Sequence, residues 1–244
     1  FAMEEDVVST AYLVVHSVSM FGIVSNFIAV VTIYKKRDMH NPFGILCAAM
    51  AANNVLVLTQ NSIWYAMPDD EIFKYASTLS RIVGYVELTQ FNFGCNIHVS
   101  IALNRMIAVI FPMSHFWTES RTFIGLTFLL LLAFLQNLPM ILYDDIWFCY
   151  DRPRFIWHFA NSERGRFFEN KINIIPCIIN FVLTTTFDLI TLYCLRSAHA
   201  KAFSQSLPVV VFYCSFMFLT PKLTTHFTRF LSTTISWHFV HFVD

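Results

Sequence analysis

The sequence has few charged residues: Lys, Arg, Asp and Glu make up 13% of its 244 residues, against about 25% in ordinary soluble domains. Hydrophobic residues account for 56%, and 27 residues are Phe. A soluble fold of this length could not bury so much apolar surface, so the surplus requires hydrocarbon as its solvent. We therefore expect an all-α protein embedded in a lipid bilayer.

Motifs typical of catalysis, metal binding and nucleic-acid binding are also missing. No CxxC, HExxH or GxSxG pattern occurs, and no pair of catalytic acids is visible. The formal net charge is zero, and the densest basic cluster, Lys35-Lys36-Arg37, is too short to favour nucleic acid. We expect no enzyme, no cofactor, no metal site and no nucleic-acid partner.

The cysteines do not form a disulfide pattern. Cys149 lies in a polar connection, whereas the other five lie in apolar stretches, where a thiol acts as a small packing residue. These five are Cys47, Cys95, Cys177, Cys194 and Cys214.

Apolar stretches long enough to cross a membrane recur along the whole chain, since about 20 helical residues span about 30 Å of hydrocarbon. Seven such stretches run over 11–34, 42–67, 81–105, 122–142, 172–195, 202–221 and 230–244. The seventh supplies only about 21 Å of helix, and the chain does not begin with Met. We expect one seven-helix domain over residues 1–244, incomplete at both ends, with a truncated seventh helix.

Basic residues in short loops set the orientation of a membrane protein. The KKRD sequence that follows the first stretch places this loop on the cytoplasmic side and the N-terminus outside. Later loops support this orientation poorly, because nine of the 16 basic residues would then lie outside.

The third stretch carries the most polar residues, and they surround the helix: Glu87, Gln90, Asn92, Asn96, His98 and Ser100. Lipid would not satisfy these groups, so this helix should be central in the bundle. Glu87, Phe91, Gly94, His98, Ala102 and Arg105 follow at steps of three or four along one face. Glu87 lies about 27 Å from Arg105 and therefore in the outer third of the membrane. It contacts a ligand there, pairs with a neighbouring helix or is protonated.

Two other functional classes use the same polar residues. Glu87 and Asp188 could form an ion or proton pathway, although the sequence lacks the internal repeats common in transporters. His238 and His241 lie one helical turn apart and, with His98, could bind haem or a metal, although such a pair is more often interfacial.

Three sequence segments carry a resemblance to a known family. LNRMIAVIFP (103–112) resembles the Asp-Arg-Tyr motif and following Pro of rhodopsin-like G-protein-coupled receptors. Together with HNPFGILCA (40–48) and TTISWHFVHFVD (233–244), it looks like the nematode serpentine chemoreceptors of class x. The resemblance covers about residues 22–244. It implies a multi-pass receptor in the plasma membrane that binds a small chemical cue and signals to a heterotrimeric G protein.

The resemblance also assigns residues. Arg105 and Pro112 match the G-protein-coupling motif, in which Asn104 replaces the acid that would restrain the Arg. A polar network is implied at Asn26, Asn53 and Asp244, and Pro176 matches the Pro of helix five. We expect a ligand pocket between stretches three, five, six and seven. Its expected lining is Glu87, Phe91, Phe181, Phe212 and Phe216.

The sequence departs from this family pattern in three places. Ser80 stands near the expected Cys at the outer end of the third helix, so Cys149 lacks the partner that would tether the second outer loop. No Trp occurs in the fourth stretch, and the connection 196–201 is short for a loop that faces a G protein. A receptor fragment that does not signal is therefore an alternative reading.

Overall fold

A computed structural model of the chain describes residues 5–66, 77–111, 118–151 and 156–195. The predicted sixth and seventh stretches lie outside these residues. So do four of the predicted site residues, namely Pro112, Phe212, Phe216 and Asp244.

Long helices account for most of the described chain. They are α1 (Glu5–Lys35), α2 (Pro42–Ala66), α3 (Thr78–Ile110), α4 (Glu119–Asn137) and α7 (Ile175–Leu195). The shorter elements are a 3₁₀ turn (Arg37–Met39), α5 (Pro139–Leu142), β1 (Phe148–Asp151), β2 (Ile156–Phe159), α6 (Glu163–Phe167) and a π-helical segment (Phe168–Ile174). Since α6, the π segment and α7 are continuous, we call Glu163–Leu195 the fifth long helix. Five helices in the described ranges are long and apolar enough to span a membrane, which confirms a helical membrane bundle.

The helix boundaries differ from the predicted ones where capping groups act. Helix α3 begins at Thr78 because the Ser77 side chain accepts a hydrogen bond from the Ser80 backbone N–H, and it is 33 residues long. Thr118 caps α4 in the same way, through the backbone N–H of Arg121. The predicted fourth stretch is divided at Pro139, which opens α5.

The prediction that the third helix is central is correct. Helix α3 packs against α2, α4, α7 and β1. Between residues 80 and 110, Ile82 and Ala108 are its only exposed positions. The polar side chains around α3 are therefore covered by protein rather than by lipid.

The lipid-facing surface is formed by the other helices. On α4, large apolar side chains are exposed along most of the helix, among them Phe123, Ile124, Phe128, Leu131 and Leu135. Such a surface is stable only in hydrocarbon.

The polar connection that contains Cys149 holds a β-hairpin, which the sequence analysis did not predict. Strands β1 and β2 pair antiparallel, with Phe148 opposite Phe159 and Cys149 opposite His158. The rings of Phe148 and Phe159 lie 4.7 Å apart. Phe148 joins a core cluster with Leu88, Met140, Ile146 and Phe168. The hairpin therefore packs its apolar side chains against the core of the bundle. Its strands were not predicted because each has only four residues.

Candidate functional site

Glu87 lies in a buried polar site between α2 and α3. Its side chain is fully buried. Gln60 Nε2 donates to one carboxylate oxygen at 2.9 Å, and Asn61 Nδ2 donates to the other at 2.9 Å. Asn61 is also fully buried, and its Oδ1 accepts no hydrogen bond from the described residues. The site therefore fixes a buried carboxylate, one turn of α3 from the hairpin contact at Gly84, beside an amide oxygen that can still accept a hydrogen bond.

Three of the predicted lining residues, Glu87, Phe91 and Phe181, lie in the described part of the chain. Phe91, one turn from Glu87, packs against the core cluster that Phe148 joins. Phe181 is half-buried on α7. The pocket between them stays a prediction.

A second buried polar site joins α3, α4 and the π segment. Asn92 Nδ2 donates to Asn137 Oδ1 at 3.3 Å and to Asn173 Oδ1 at 3.0 Å. Asn137 Nδ2 donates in turn to Thr89 Oγ1 at 3.2 Å. All four side chains are buried. Because buried amides in a membrane must find partners, these bonds fix how the three helices meet.

Further pairs follow inward along the same interface. The Sγ atoms of Cys95 and Cys177 lie 3.8 Å apart. Asn180 Nδ2 donates to Asn96 Oδ1 at 2.8 Å. We call this row of contacts the polar seam. It comprises Asn92, Cys95, Asn96 and Arg105 on α3 with Asn173, Cys177, Asn180 and Asp188 on the fifth long helix.

The inner end of the polar seam is an ion pair. Arg105 donates to Asp188 Oδ1 at 2.8 Å, and the side chains are 41% and 17% exposed. Asn104, which stands where the related receptors carry an acid, is buried. The acid that partners the Arg is thus supplied by α7. Sequence reasoning had noted Asp188 only as a candidate for an ion pathway.

Two residues of the predicted polar network, Asn26 and Asn53, lie in the described part of the chain, and the structure gives each a hydrogen bond to a neighbouring helix. Asn26 accepts a hydrogen bond from Asn54 Nδ2 at 3.2 Å. Asn53 Nδ2 donates instead to the backbone oxygen of Gln90 on α3 at 3.2 Å. The two predicted residues therefore connect α2 to different neighbours, α1 and α3.

The segment 143–148, which leads into the hairpin, is held against α3 by a hydrogen bond, an ion pair and a close backbone contact. Arg81 donates to the backbone oxygen of Tyr143 at 3.2 Å and pairs with Asp144 at 3.1 Å. A Cβ on Gly84 would lie 1.6 Å from the Phe148 carbonyl oxygen, so only glycine allows this approach. Cys149, next along the strand, is a fully buried thiol.

Sequence reasoning missed several residues of these sites. They are Asn54, Gln60, Asn61, Asn137, Asn173 and Asn180. Each is an amide inside an apolar stretch, and that property alone could have marked it as a candidate.

Within the described ranges, no group of three or more His, Cys, Asp or Glu side chains is arranged to hold a metal ion. His98 lies on α3 and is half-buried. The other two histidines of the haem hypothesis, His238 and His241, lie outside the described residues.

Comparison with known proteins gives one family. A family model described as "Serpentine type 7TM GPCR chemoreceptor Srx" matches residues 16–207. No curated protein matches the chain. The matched region contains α2, α3, α4, the hairpin and the fifth long helix, and therefore both buried polar sites and the Arg105–Asp188 pair.

Proposed function

Because the chain belongs to the Srx family of serpentine seven-transmembrane chemoreceptors, we propose that it binds a small chemical cue from the outer side of the plasma membrane and signals to a heterotrimeric G protein. The observation that carries this proposal is the arrangement of α3. One central helix holds a buried carboxylate in its outer half and an ion-paired Arg at its inner end.

The ligand end of the proposal rests on Glu87. A buried carboxylate with two amide donors is costly in a membrane and is typical of a functional site. The Asn61 Oδ1 beside it can accept a hydrogen bond from a ligand. A cue with a hydroxyl, amine or amide donor on an apolar body fits such a site, since small-molecule sites combine apolar walls with a few polar groups.

The signalling end rests on Arg105. Its pair with Asp188 joins α3 to α7 and restrains both helices at the side of the membrane that we assign to the cytoplasm. A cue that separates the two helices would break the pair and release the Arg for a G protein. Such a shift requires that the cue bind the separated state more tightly than the joined one.

The polar seam joins α3, which carries Glu87, to the fifth long helix, which carries Asp188. Its pairs hold the two helices together at successive levels along α3. Packed interfaces of this kind change between discrete arrangements rather than deforming gradually. A displacement at the outer end of the fifth long helix would therefore reach Asp188.

The orientation can be tested first. The full chain, with an N-terminal epitope tag, is expressed in cells and labelled with and without permeabilisation. We expect label on intact cells, which places the N-terminus outside. Label that appears only after permeabilisation would contradict this orientation or indicate a retained chain.

The ligand site is tested with Glu87→Gln in a G-protein assay against a panel of volatile and water-soluble compounds. This change keeps the shape, and the Asn61 amide can rotate to accept from the amide introduced at position 87. Loss of a charge-assisted hydrogen bond costs about 1.5–3 kcal/mol, so the effective concentration of an active cue should rise by about 10- to 100-fold.

Glu119→Gln is the matched control, because Glu119 is an exposed carboxylate in the first turn of α4. It should leave the concentration dependence unchanged. If Glu87→Gln is also without effect on every active cue, Glu87 does not contact the ligand. If the surface-expressed chain gives no G-protein response but carries proton-coupled flux in liposomes, the transporter alternative replaces the receptor.

A further inference from the structure

We propose that Cys95 and Cys177 form a disulfide when the protein meets a hydroperoxide, and that this bond fixes α3 to the fifth long helix. The two sulfur atoms lie 3.8 Å apart in the middle of the polar seam. A disulfide has an S–S distance of about 2.05 Å, so the sulfurs must approach by about 1.8 Å. Side-chain rotation of one or both residues can supply such a movement.

The neighbouring bonds hold the two thiols in register. On the outer side, Asn92 donates to Asn173 at 3.0 Å, and on the inner side, Asn180 donates to Asn96 at 2.8 Å. The helices are therefore tied together on both sides of the cysteines, within one turn of each. A bond between the sulfurs would close inside an interface that is already formed.

Burial assigns the order of the two steps. Cys95 is partly exposed and Cys177 is 8% exposed, so Cys95 meets the oxidant first. Its sulfur attacks the hydroperoxide, the O–O bond breaks, and an S–O bond forms, which gives a sulfenic acid and one molecule of alcohol or water. Cys177 then attacks that sulfur, the S–S bond forms, and the hydroxyl leaves with the thiol proton as water. Two thiols and one hydroperoxide thus give one disulfide, one alcohol or water, and one further water.

The depth of the site selects the class of oxidant. Cys95 precedes Arg105 by ten residues, or about 15 Å of helix, and so lies far from the inner membrane surface. Uncharged oxidants reach this depth more easily than charged ones, because charge is costly in hydrocarbon. Both hydrogen peroxide and organic hydroperoxides are uncharged and share the reacting O–O bond.

The test uses the full-length chain in membranes with a protease site inserted between residues 111 and 118. Cleavage there separates Cys95 on one fragment from Cys177 on the other. After treatment with tert-butyl hydroperoxide or hydrogen peroxide, the fragments should remain joined on a non-reducing gel and separate when the sample is reduced. Reaction with the organic hydroperoxide alone would indicate access through lipid, and reaction with both would indicate access from water; each supports the proposal.

Matched variants identify the bond. Cys95→Ser and Cys177→Ser should each abolish the joined species, whereas Cys47→Ser and Cys194→Ser should leave it unchanged. Mass spectrometry of the joined wild-type fragments should yield one linked peptide pair that contains both residues, and this measurement does not depend on how the variants fold. Fragments that separate under both oxidants, or a linked pair that contains other cysteines, would overturn the proposal.

The effect on signalling rests on the proposed function and is measured separately. Oxidised membranes should lose the cue-evoked G-protein response, and reduction should restore it. If the fragments become joined but the chain never signals, the disulfide proposal is supported and the proposed receptor function is refuted. A receptor that signals equally well before and after complete joining would refute the claim that the bond fixes the active interface.

Discussion

Neutralising Asp188 is the sharpest test of how the inner end of the bundle works. In the structure, Asp188 accepts one hydrogen bond from Arg105 at 2.8 Å. Asp188→Asn keeps the size of the side chain but removes the charge that holds the Arg. We expect the variant to signal more strongly without a cue, because the joined state of α3 and α7 loses stability relative to the separated state.

The exposure of the pair sets the magnitude. Breaking a fully buried ion pair costs about 3–5 kcal/mol, whereas exposed pairs contribute about 0–1 kcal/mol. With side chains 41% and 17% exposed, this pair falls between the two classes. Because the pair has a single hydrogen bond, we expect its loss to cost about 1–2 kcal/mol, closer to the value for exposed pairs than to the value for buried ones. A change of about 1.4 kcal/mol is tenfold in an equilibrium constant, so a separated state populated at about 1% would rise to about 9%.

The assay is cue-free G-protein activation divided by the number of receptors at the cell surface. Asp38→Asn is the matched control, since Asp38 is exposed in the 3₁₀ turn on the same side of the membrane. It should not change the basal signal. A basal signal for Asp188→Asn that equals or falls below the wild type would refute the idea that the pair restrains the resting state.

Two substitutions test the outer loop and the buried amides. Gly84→Ala should lower surface expression and thermal stability, because its Cβ would overlap the Phe148 carbonyl oxygen, whereas Gly125→Ala meets nothing within 4 Å and should not. Asn137→Ala should lower the melting temperature in detergent by about 2–8 °C, from a loss of about 1–2 kcal/mol. Thr127→Ala, which removes an exposed hydroxyl that bonds within its own helix, is its control. If Gly84→Ala melts at the same temperature as Gly125→Ala, the close approach at Gly84 does not matter for stability. If Asn137→Ala melts at the same temperature as Thr127→Ala, the buried amide bonds do not stabilise the bundle.

The central place of α3 could be predicted from the sequence because it depends on one helix alone. Polar residues on all sides of a membrane helix require protein on all sides, whatever the neighbours are. The start of α3 at Thr78 was predicted less well. Hydropathy detects the apolar part of a helix but not the first turn, which here depends on a Ser77 cap.

The partners of the polar residues could not be predicted, because they depend on how the helices pack. Arg105 and Asp188 are 83 positions apart in sequence, and no local pattern relates them. Glu87 was a candidate from its charge, but its two amide donors on α2 were found only once the register of α2 against α3 was known. In a membrane protein, the sequence therefore shows which polar residues are buried more readily than it shows which residues they bond to.

The π-helical segment Phe168–Ile174 has a consequence for the length of the chain. A π turn contains about one residue more than an α turn. Deleting one residue between 168 and 174 would allow a regular α-helix in which the parts on either side keep nearly their present faces toward α3. The same seven residues wound as a regular α-helix would instead rotate α6 by about 100° relative to α7. The π turn is therefore what lets Phe168, at its start, and Cys177 and Asp188, after it, all contact residues of α3.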